Sequence, residues 1–259
     1  MSNSDKKIPL VEVFGPTIQG EGAVIGQQTY FMRFGLCDYR CGMCDSVHAV
    51  DPHQVKQNAE WLTQQEILDK FLKEVYLPGS SRWVTLSGGN PCIHDLSLLV
   101  GTLKRLHFRI AVETQGTFSP SWLSQCDVVT VSPKGPGMKE QFYVDAFDGF
   151  MQYVMSANPS IVNIKVVVFD QRDLEFAKMV WERYGHTGVP FYLSLGNPYP
   201  PDYPHRQAMH FPATHNAHMG VLIDEYKSLF EDIKQDPILS TMRFLPQWHV
   251  FVWGNAKGK

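Results

Sequence analysis

The sequence predicts an α/β protein organised around a parallel sheet, and three observations carry that prediction. Six short β-rich runs alternate with helical patterns along most of the 259 residues. No repeat, low-complexity tract or linker divides the region they occupy. Chemistry-bearing loops gather after the strands, at the end where open sheets and α/β barrels place their ligands. Such alternation needs crossover connections, so the strands run parallel, with apolar side chains expected on both faces.

TYFMRF (29–34) is the first full strand. TQQEILDKFLKEVY (63–76) has helical spacing, with Thr63 and Glu66 placed as a capping box. RWVTLS (82–87) is the second strand and runs into Gly88-Gly89-Asn90-Pro91. Asp95 caps the next helix, which carries Leu96, Leu99, Leu103 and Leu106 on one face. FRIAVET (108–114) is a strand, Ser119-Pro120 starts a short helix, and DVVTVS (127–132) is the fourth strand. A helix falls within 143–155, NIKVVV (163–168) is the fifth strand, 173–184 is helical, and PFYLSL (190–195) is the sixth strand. The segment 197–218, rich in Pro and His, reads as a long excursion that covers a site or an interface, or as a plain surface loop. A helix follows at about 219–235, and QWHVFVWGN (247–255) reads as a closing strand. The chain is expected to be one domain, with a core over about 10–196 and a C-terminal extension over about 197–259.

A net charge of −3 leaves no basic footprint for nucleic acid. The start, MSNSDKKIPLVEVF, lacks the apolar stretch of a signal peptide, and no run of about 18 apolar residues occurs. The expectation is a cytoplasmic protein with no membrane span. In that reducing compartment a tight cysteine cluster binds metal or does redox work rather than forming disulfides. Cys92 and Cys126 stand alone in apolar settings and read as small buried side chains.

RFGLCDYRCGMCDSVHAV (33–50) gathers Cys37, Cys41 and Cys44 in one short loop. Two metal centres suit three thiolates. With His48 they could close a Cys₃His zinc knuckle, which would leave the six-strand scaffold without a purpose. A 4Fe–4S cube normally takes a ligand on each iron, so three cysteines leave one iron open to bind and activate a small molecule.

Cys37-X3-Cys41-X2-Cys44, followed after the next strand by GGNP (88–91), resembles the signature of the radical S-adenosylmethionine superfamily. The resemblance implies a partial (β/α)₆ barrel and an open iron that binds S-adenosylmethionine. A narrower resemblance rests on PTIQGEG (16–22), Arg33, CDS (44–46), SGGNP (87–91), ETQGT (113–117), SPK (132–134) and LPQWHVFVWGN (245–255). Together these resemble the 7-carboxy-7-deazaguanine synthase family over nearly the whole chain. That implies radical ring contraction of 6-carboxy-5,6,7,8-tetrahydropterin to 7-carboxy-7-deazaguanine with release of ammonia, in queuosine and 7-deazapurine biosynthesis. It also implies Mg²⁺, a homodimer, and flavodoxin or ferredoxin as electron donor.

Carried over by position, the resemblance makes Cys37, Cys41 and Cys44 the cluster ligands and Ser46, where Thr is common, the Mg²⁺ ligand. Ile18, Gln19, Gly20 and Glu21 fall on the substrate-binding turn, Arg33 on the group that grips the substrate carboxylate, and Ser87 and His249 on further substrate contacts. Met43, Cys44, Asp45, Gly88, Gly89, Glu113, Ser132, Pro133 and Lys134 fall on cofactor-binding positions. So do Ser194 and Asn197, although this chain has Ser194-Leu195-Gly196-Asn197 where many members carry a Gln-Pro segment. Residue type alone also allows Ser46 to cap a loop, Glu21 to be a solvated turn residue, Arg33 to make a surface ion pair, and His249 to be a core histidine. A radical activase that places a glycyl radical on another protein shares the cysteine loop, but has no use for QGEG or Arg33.

Overall fold

The structure, a computed structural model, describes residues 6–157, 161–199, 214–256 and 258. Nine strands form one sheet: β1 (Ile8–Ile18), β2 (Gln28–Phe34), β3 (Glu60–Leu62), β4 (Trp83–Gly88), β5 (Arg109–Thr114), β6 (Val128–Val131), β7 (Ile161–Val168), β8 (Phe191–Leu195) and β9 (Arg243–Leu245). Their order is β3-β1-β2-β4-β5-β6-β7-β8-β9, so among the described residues the sheet has two distinct edges and is open. β2 and β4 through β9 pair in parallel, whereas β1 runs antiparallel to both β2 and β3.

The six expected strands are β2, β4, β5, β6, β7 and β8. Between β2 and β4 lie α1 (Val47–Val50), α2 (Pro52–Asn58), β3 and α3 (Gln64–Lys70). The later crossovers run through α4 (Ser97–Arg105), a 3₁₀ turn at Ser121–Gln125, α5 (Val144–Ala157), α6 (Gln171–Tyr184) and α7 (His215–Gln235). A last helix, α8 (Trp248–Trp253), closes the described chain. The capping box at Thr63 and Glu66 is present in both directions. The helix it starts is shorter than expected, because Phe71–Val75 widens into a π turn closed by Tyr76 N donating to Phe71 O at 2.8 Å.

Strand alternation divides the sheet into two chemically different faces. Val84, Leu86, Ile110, Val112, Val129, Val131, Ile164, Val166 and Leu193 share one apolar core with Leu99, Leu103, Phe147, Phe150 and Val180 of the helices. The residues between them, Thr85, Ser87, Thr130, Ser132, Asn163, Lys165 and Ser194, are buried and polar. Some of them hydrogen-bond across strands, as in Thr29 to Thr85 (2.9 Å) and Asn163 Nδ2 to Thr130 Oγ1 (3.0 Å). Apolar side chains on both faces, as expected from the sequence, therefore describe only the helix side.

Other expectations change for local reasons. β1 escapes sequence detection because IPLVEVFGPTI carries Pro9, Gly15 and Pro16, and two register shifts against β2 absorb them. Asp95 lies one residue ahead of the cap position, where its Oδ1 accepts from Ser97 N and Oγ. Leu106 falls past the end of α4 and is exposed. The expected closing strand at 247–255 is helix α8, despite its aromatic and β-branched residues. Its start is fixed by Trp248 N donating to Gly20 O, and Gly254 at φ +61° ends it, so packing overrides propensity. Of the 197–218 excursion, 200–213 lie outside the described residues. Cys92 and Cys126 are buried as expected.

Two substitutions separate core packing from local capping. Phe150→Ala removes a side chain only 1% exposed and is expected to cost about 3–5 kcal/mol. Thr63→Ala should cost about 1 kcal/mol, since the cap is exposed. Urea unfolding of the cluster-free protein measures both, and equal losses would contradict this account.

Candidate active site

The cysteine loop leaves β2 at its C-terminal end, and the structure turns Cys37, Cys41 and Cys44 to one cavity, half-buried and free of disulfides. Backbone bonds brace the loop: Leu36 N to Ala49 O (2.7 Å), Gly42 N to Met138 O (2.8 Å) and Arg40 N to Glu140 Oε2 (2.6 Å). Tyr39 N and Gln115 Nε2 both donate to Cys37 Sγ at 3.4 Å. Burial raises all three thiols, Cys41 to about 11 and Cys44 to about 12, so ligation displaces a proton from each. The Lys134 ammonium acts the other way on all three. Among the described residues no three His, Cys, Asp or Glu side chains converge on a single-ion site. Three thiols on one cavity wall, N–H donors to Cys37 and a facing cation suit an anionic cluster.

Gly88 and Gly89 line the same cavity at the end of β4. A Cβ on Gly88, at φ +136°, would lie 2.0 Å from Phe34 O, and one on Gly89 would lie 2.0 Å from Leu36 O. The two glycines therefore admit the backbone of the cysteine loop itself, which Gly89 N and Asn90 N then bind at 2.9 Å each through Phe34 O and Leu36 O. Asn90, fully buried, donates to Asp38 Oδ1 (2.8 Å) and accepts from Thr114 Oγ1 and Cys92 N. Neighbouring Ser87 Oγ is buried at the cavity wall with no hydrogen-bond partner among the described residues. It is an open polar position for a ligand.

The turn after β1 crosses the polar face of the sheet and lines the cavity with Ile18, Gln19, Gly20 and Glu21. Glu21 is buried, not solvated. Lys165 Nζ donates to its Oε2 at 2.9 Å, while Ser194 Oγ (2.8 Å) and Gln247 Nε2 (3.0 Å) donate to its Oε1. Burial opposes its charge, but Lys165 and then His249 hold the carboxyl well below the usual range. Glu113 belongs to this group, with Gln19 Nε2 donating to its Oε1 at 2.8 Å. His249 packs on the turn, where a Cβ on Gly20 would fall 2.6 Å from its Nδ1.

Arg33 occupies an opposite corner of the cavity. Its Nε donates to Glu12 Oε1 at 2.6 Å and its Nη1 to Ser46 Oγ at 3.1 Å, while Ser46 Oγ donates to Asp45 Oδ1 at 2.9 Å. His48 Nε2 lies 3.8 Å from Glu12 Oε1. After β6, Lys134 Nζ donates to Ser132 Oγ at 3.2 Å, and both face the cavity. Asp173 on α6 pins the loop beyond them by accepting from Gly137 N (2.8 Å) and Phe169 N (2.9 Å).

Met43, Asp45, Asn197 and His249 also line the cavity, whereas Pro133 and Ser194 are off its wall. The Ser194 hydroxyl is committed to Glu21. The Asn197 amide is committed as well, donating to Asn255 Oδ1 (2.9 Å) and accepting from His218 Nε2 (3.0 Å) and Tyr199 N (3.0 Å). Sequence reading missed Glu12, Gln115, Lys165, Gln247 and Asn255. Gln115 lay inside the motif ETQGT, and Gln247 and Asn255 inside LPQWHVFVWGN, without being singled out, and Lys165 stood out only as a lysine inside a mostly apolar strand.

Comparison with known proteins follows this geometry. The 7-carboxy-7-deazaguanine synthase of Bacillus subtilis (strain 168) is 39% identical over 255 residues, spanning 98% of this chain and 99% of the relative. That of Bacillus cereus is 36% identical over 258 residues, spanning 97% and 99%. The crystal structure of QueE from Escherichia coli matches with a TM-score of 0.58 at 21% identity, covering 93% of this chain and 94% of that one. Streptococcus suis SuiB bound to S-adenosylmethionine matches with a TM-score of 0.52 at 14% identity, covering 82% and 48%. At such identities the two structures speak to the fold alone, an open and mostly parallel α/β sheet consistent with the expected partial barrel. No family model matches the chain.

Gly89→Ala tests the approach of β4 to the cysteine loop. The added methyl must push Leu36 O away, and iron taken up on anaerobic reconstitution should fall well below the wild-type content. Wild-type iron in a folded variant would show that the close approach is dispensable.

Proposed function

The chain belongs to the 7-carboxy-7-deazaguanine synthase family, and from that premise we propose the radical ring contraction of 6-carboxy-5,6,7,8-tetrahydropterin to 7-carboxy-7-deazaguanine and ammonia. The observation that carries the reading is the convergence, in one cavity, of a three-thiol loop, a guanidinium and a carboxylate floor. Membership sets aside both the glycyl-radical activase and the zinc module.

Cys37, Cys41 and Cys44 would hold a 4Fe–4S cluster. When bound, the cluster and S-adenosylmethionine supply the one-electron cleavage that delivers a carbon radical for hydrogen abstraction. Met43, Asp45, Gly88, Gly89, Ser132 and Lys134 surround the position for S-adenosylmethionine, with the Lys134 ammonium available to its carboxylate. Asn197 acts indirectly, by holding the wall beside it. Arg33 grips the substrate carboxylate through a fork already oriented by Glu12, and the open Ser87 hydroxyl offers a further contact. Gln19, Glu21 and His249 form the opposite end of the substrate site, with Ile18 and Gly20 shaping it.

Ser46 is the proposed Mg²⁺ ligand. A hard cation that takes most of its oxygens from substrate and water needs few from protein. The Ser46 hydroxyl sits between Arg33 and Asp45, so a cation there would lie beside the substrate carboxylate. We read the chain as one functional domain whose C-terminal extension, through Gln247 and His249, completes the site. No described helix is long and apolar enough to cross a membrane. A cytoplasmic homodimer reduced by flavodoxin or ferredoxin completes the proposal.

Anaerobically reconstituted protein given the carboxytetrahydropterin, S-adenosylmethionine, reductant and Mg²⁺ should form the deazaguanine acid, detected by mass spectrometry. Cys41→Ala should lose both iron and sulfonium cleavage. An intact cluster without product would count against the reading. Arg33→Lys keeps the charge but loses the fork, so its KM for the pterin should rise about tenfold while the iron content holds. An unchanged KM would remove Arg33 from the substrate site.

A further inference from the structure

The cavity floor holds two carboxylates and one ammonium, and their partners are unequal. Glu21 is saturated, taking donors from Lys165, Ser194 and Gln247. Glu113 takes one hydrogen bond among the described residues, from Gln19, and its Oε2 stands 3.9 Å from Lys165 Nζ, past hydrogen-bond reach. Its side chain is also the more open, 24% exposed against 9% for Glu21. Two further groups act on this trio: Asp45 on the cysteine loop, whose charge bears on Lys165, and His249 on α8, whose charge bears on Glu21.

One ammonium between two carboxylates leaves the floor net negative. An ionised carboxylate with free lone pairs accepts N–H donors strongly. Remove the ammonium, and the two carboxylates lose their common cation, so their mutual repulsion favours uptake of a proton by the pair. The protonated member is then a poor acceptor, and the two groups titrate together.

Resting on the pterin reading above, we propose that Lys165 is a positioning residue for substrate recognition. By satisfying Glu21 while standing 3.9 Å from Glu113, it leaves Glu113 unsaturated and makes it the acceptor for the guanidine-like edge of the pterin. Glu113 thereby passes from the cofactor side of the site to the substrate side, in keeping with its bond to Gln19. Glu21 becomes the anchor that holds Lys165 in place rather than the group that reads the ring.

Steady-state kinetics on reconstituted holoenzyme test this with Glu113→Gln and Lys165→Met. Glu113→Gln should raise the KM for the pterin about ten- to hundred-fold, the range for a lost hydrogen bond to a charged group, and shift the KM for S-adenosylmethionine much less. This variant leaves the buried Glu21–Lys165 pair whole, so it reads the proposal even where Lys165→Met fails to fold. For Lys165→Met, kcat/KM relative to wild type should climb with pH, as the shared proton leaves and an acceptor returns. A lysine that merely supports the fold would give a ratio flat in pH. That flat ratio, or a Glu113→Gln variant with wild-type pterin KM, overturns the proposal. Wild-type enzyme that cleaves S-adenosylmethionine but forms no deazaguanine overturns the functional reading instead.

Discussion

The ion pair between Glu21 and Lys165 ties together parts of the chain that would otherwise have no reason to meet. Glu21 follows β1, Lys165 lies in the middle of β7, and the two further donors to Glu21 come from β8 and from the residue before α8. Ion pairs this deeply buried offer little net stability over a well-packed apolar alternative, yet leaving one partner alone costs about 3–5 kcal/mol. Their value here is geometric. The turn over 19–27, itself closed by Gln19 N to Gln27 O and Gly26 N to Gln19 O, can lie across the polar face in one way only if all four groups are to be satisfied.

With the turn fixed, the cavity wall carries both signs of charge. At the floor, Glu21 and Glu113 flank Lys165. Toward the cysteine loop, the Arg33 and Lys134 cations line the wall together with the Glu12 and Asp45 carboxylates. The sheet makes such a polar wall possible because its strands alternate, placing apolar side chains against the helices and polar ones on the cavity.

Much of this was legible in the sequence. Six strands were, because β-branched and aromatic runs between helical patterns leave few other readings, and so was the cysteine loop, because three thiols at that spacing are chemically distinctive. The gathering of strand-end loops around one cavity followed from parallel topology. The rest depends on partners distant along the chain. Glu12 matters through Arg33, Gln115 through Cys37, and Asn255 through Asn197, and although the last two lie inside ETQGT and LPQWHVFVWGN, nothing local names their partners. The polar face was readable in principle, since Thr85 and Ser87, or Asn163 and Lys165, recur at every second position. Helix α8 was not, because Gly20 and the floor impose it on residues that favour extended backbone.

The bracing of the cysteine loop has a consequence for biogenesis. Arg40 finds its partner in Glu140, a hundred residues further on, and the last donor to Glu21 comes 226 residues after it. On the ribosome, Cys37, Cys41 and Cys44 thus emerge long before the segments that shelter them. Nascent chains carry three exposed thiols through most of translation, open to oxidants and stray metals. The pocket around that loop is therefore complete only once the last donor to Glu21, 226 residues behind it, has joined the fold.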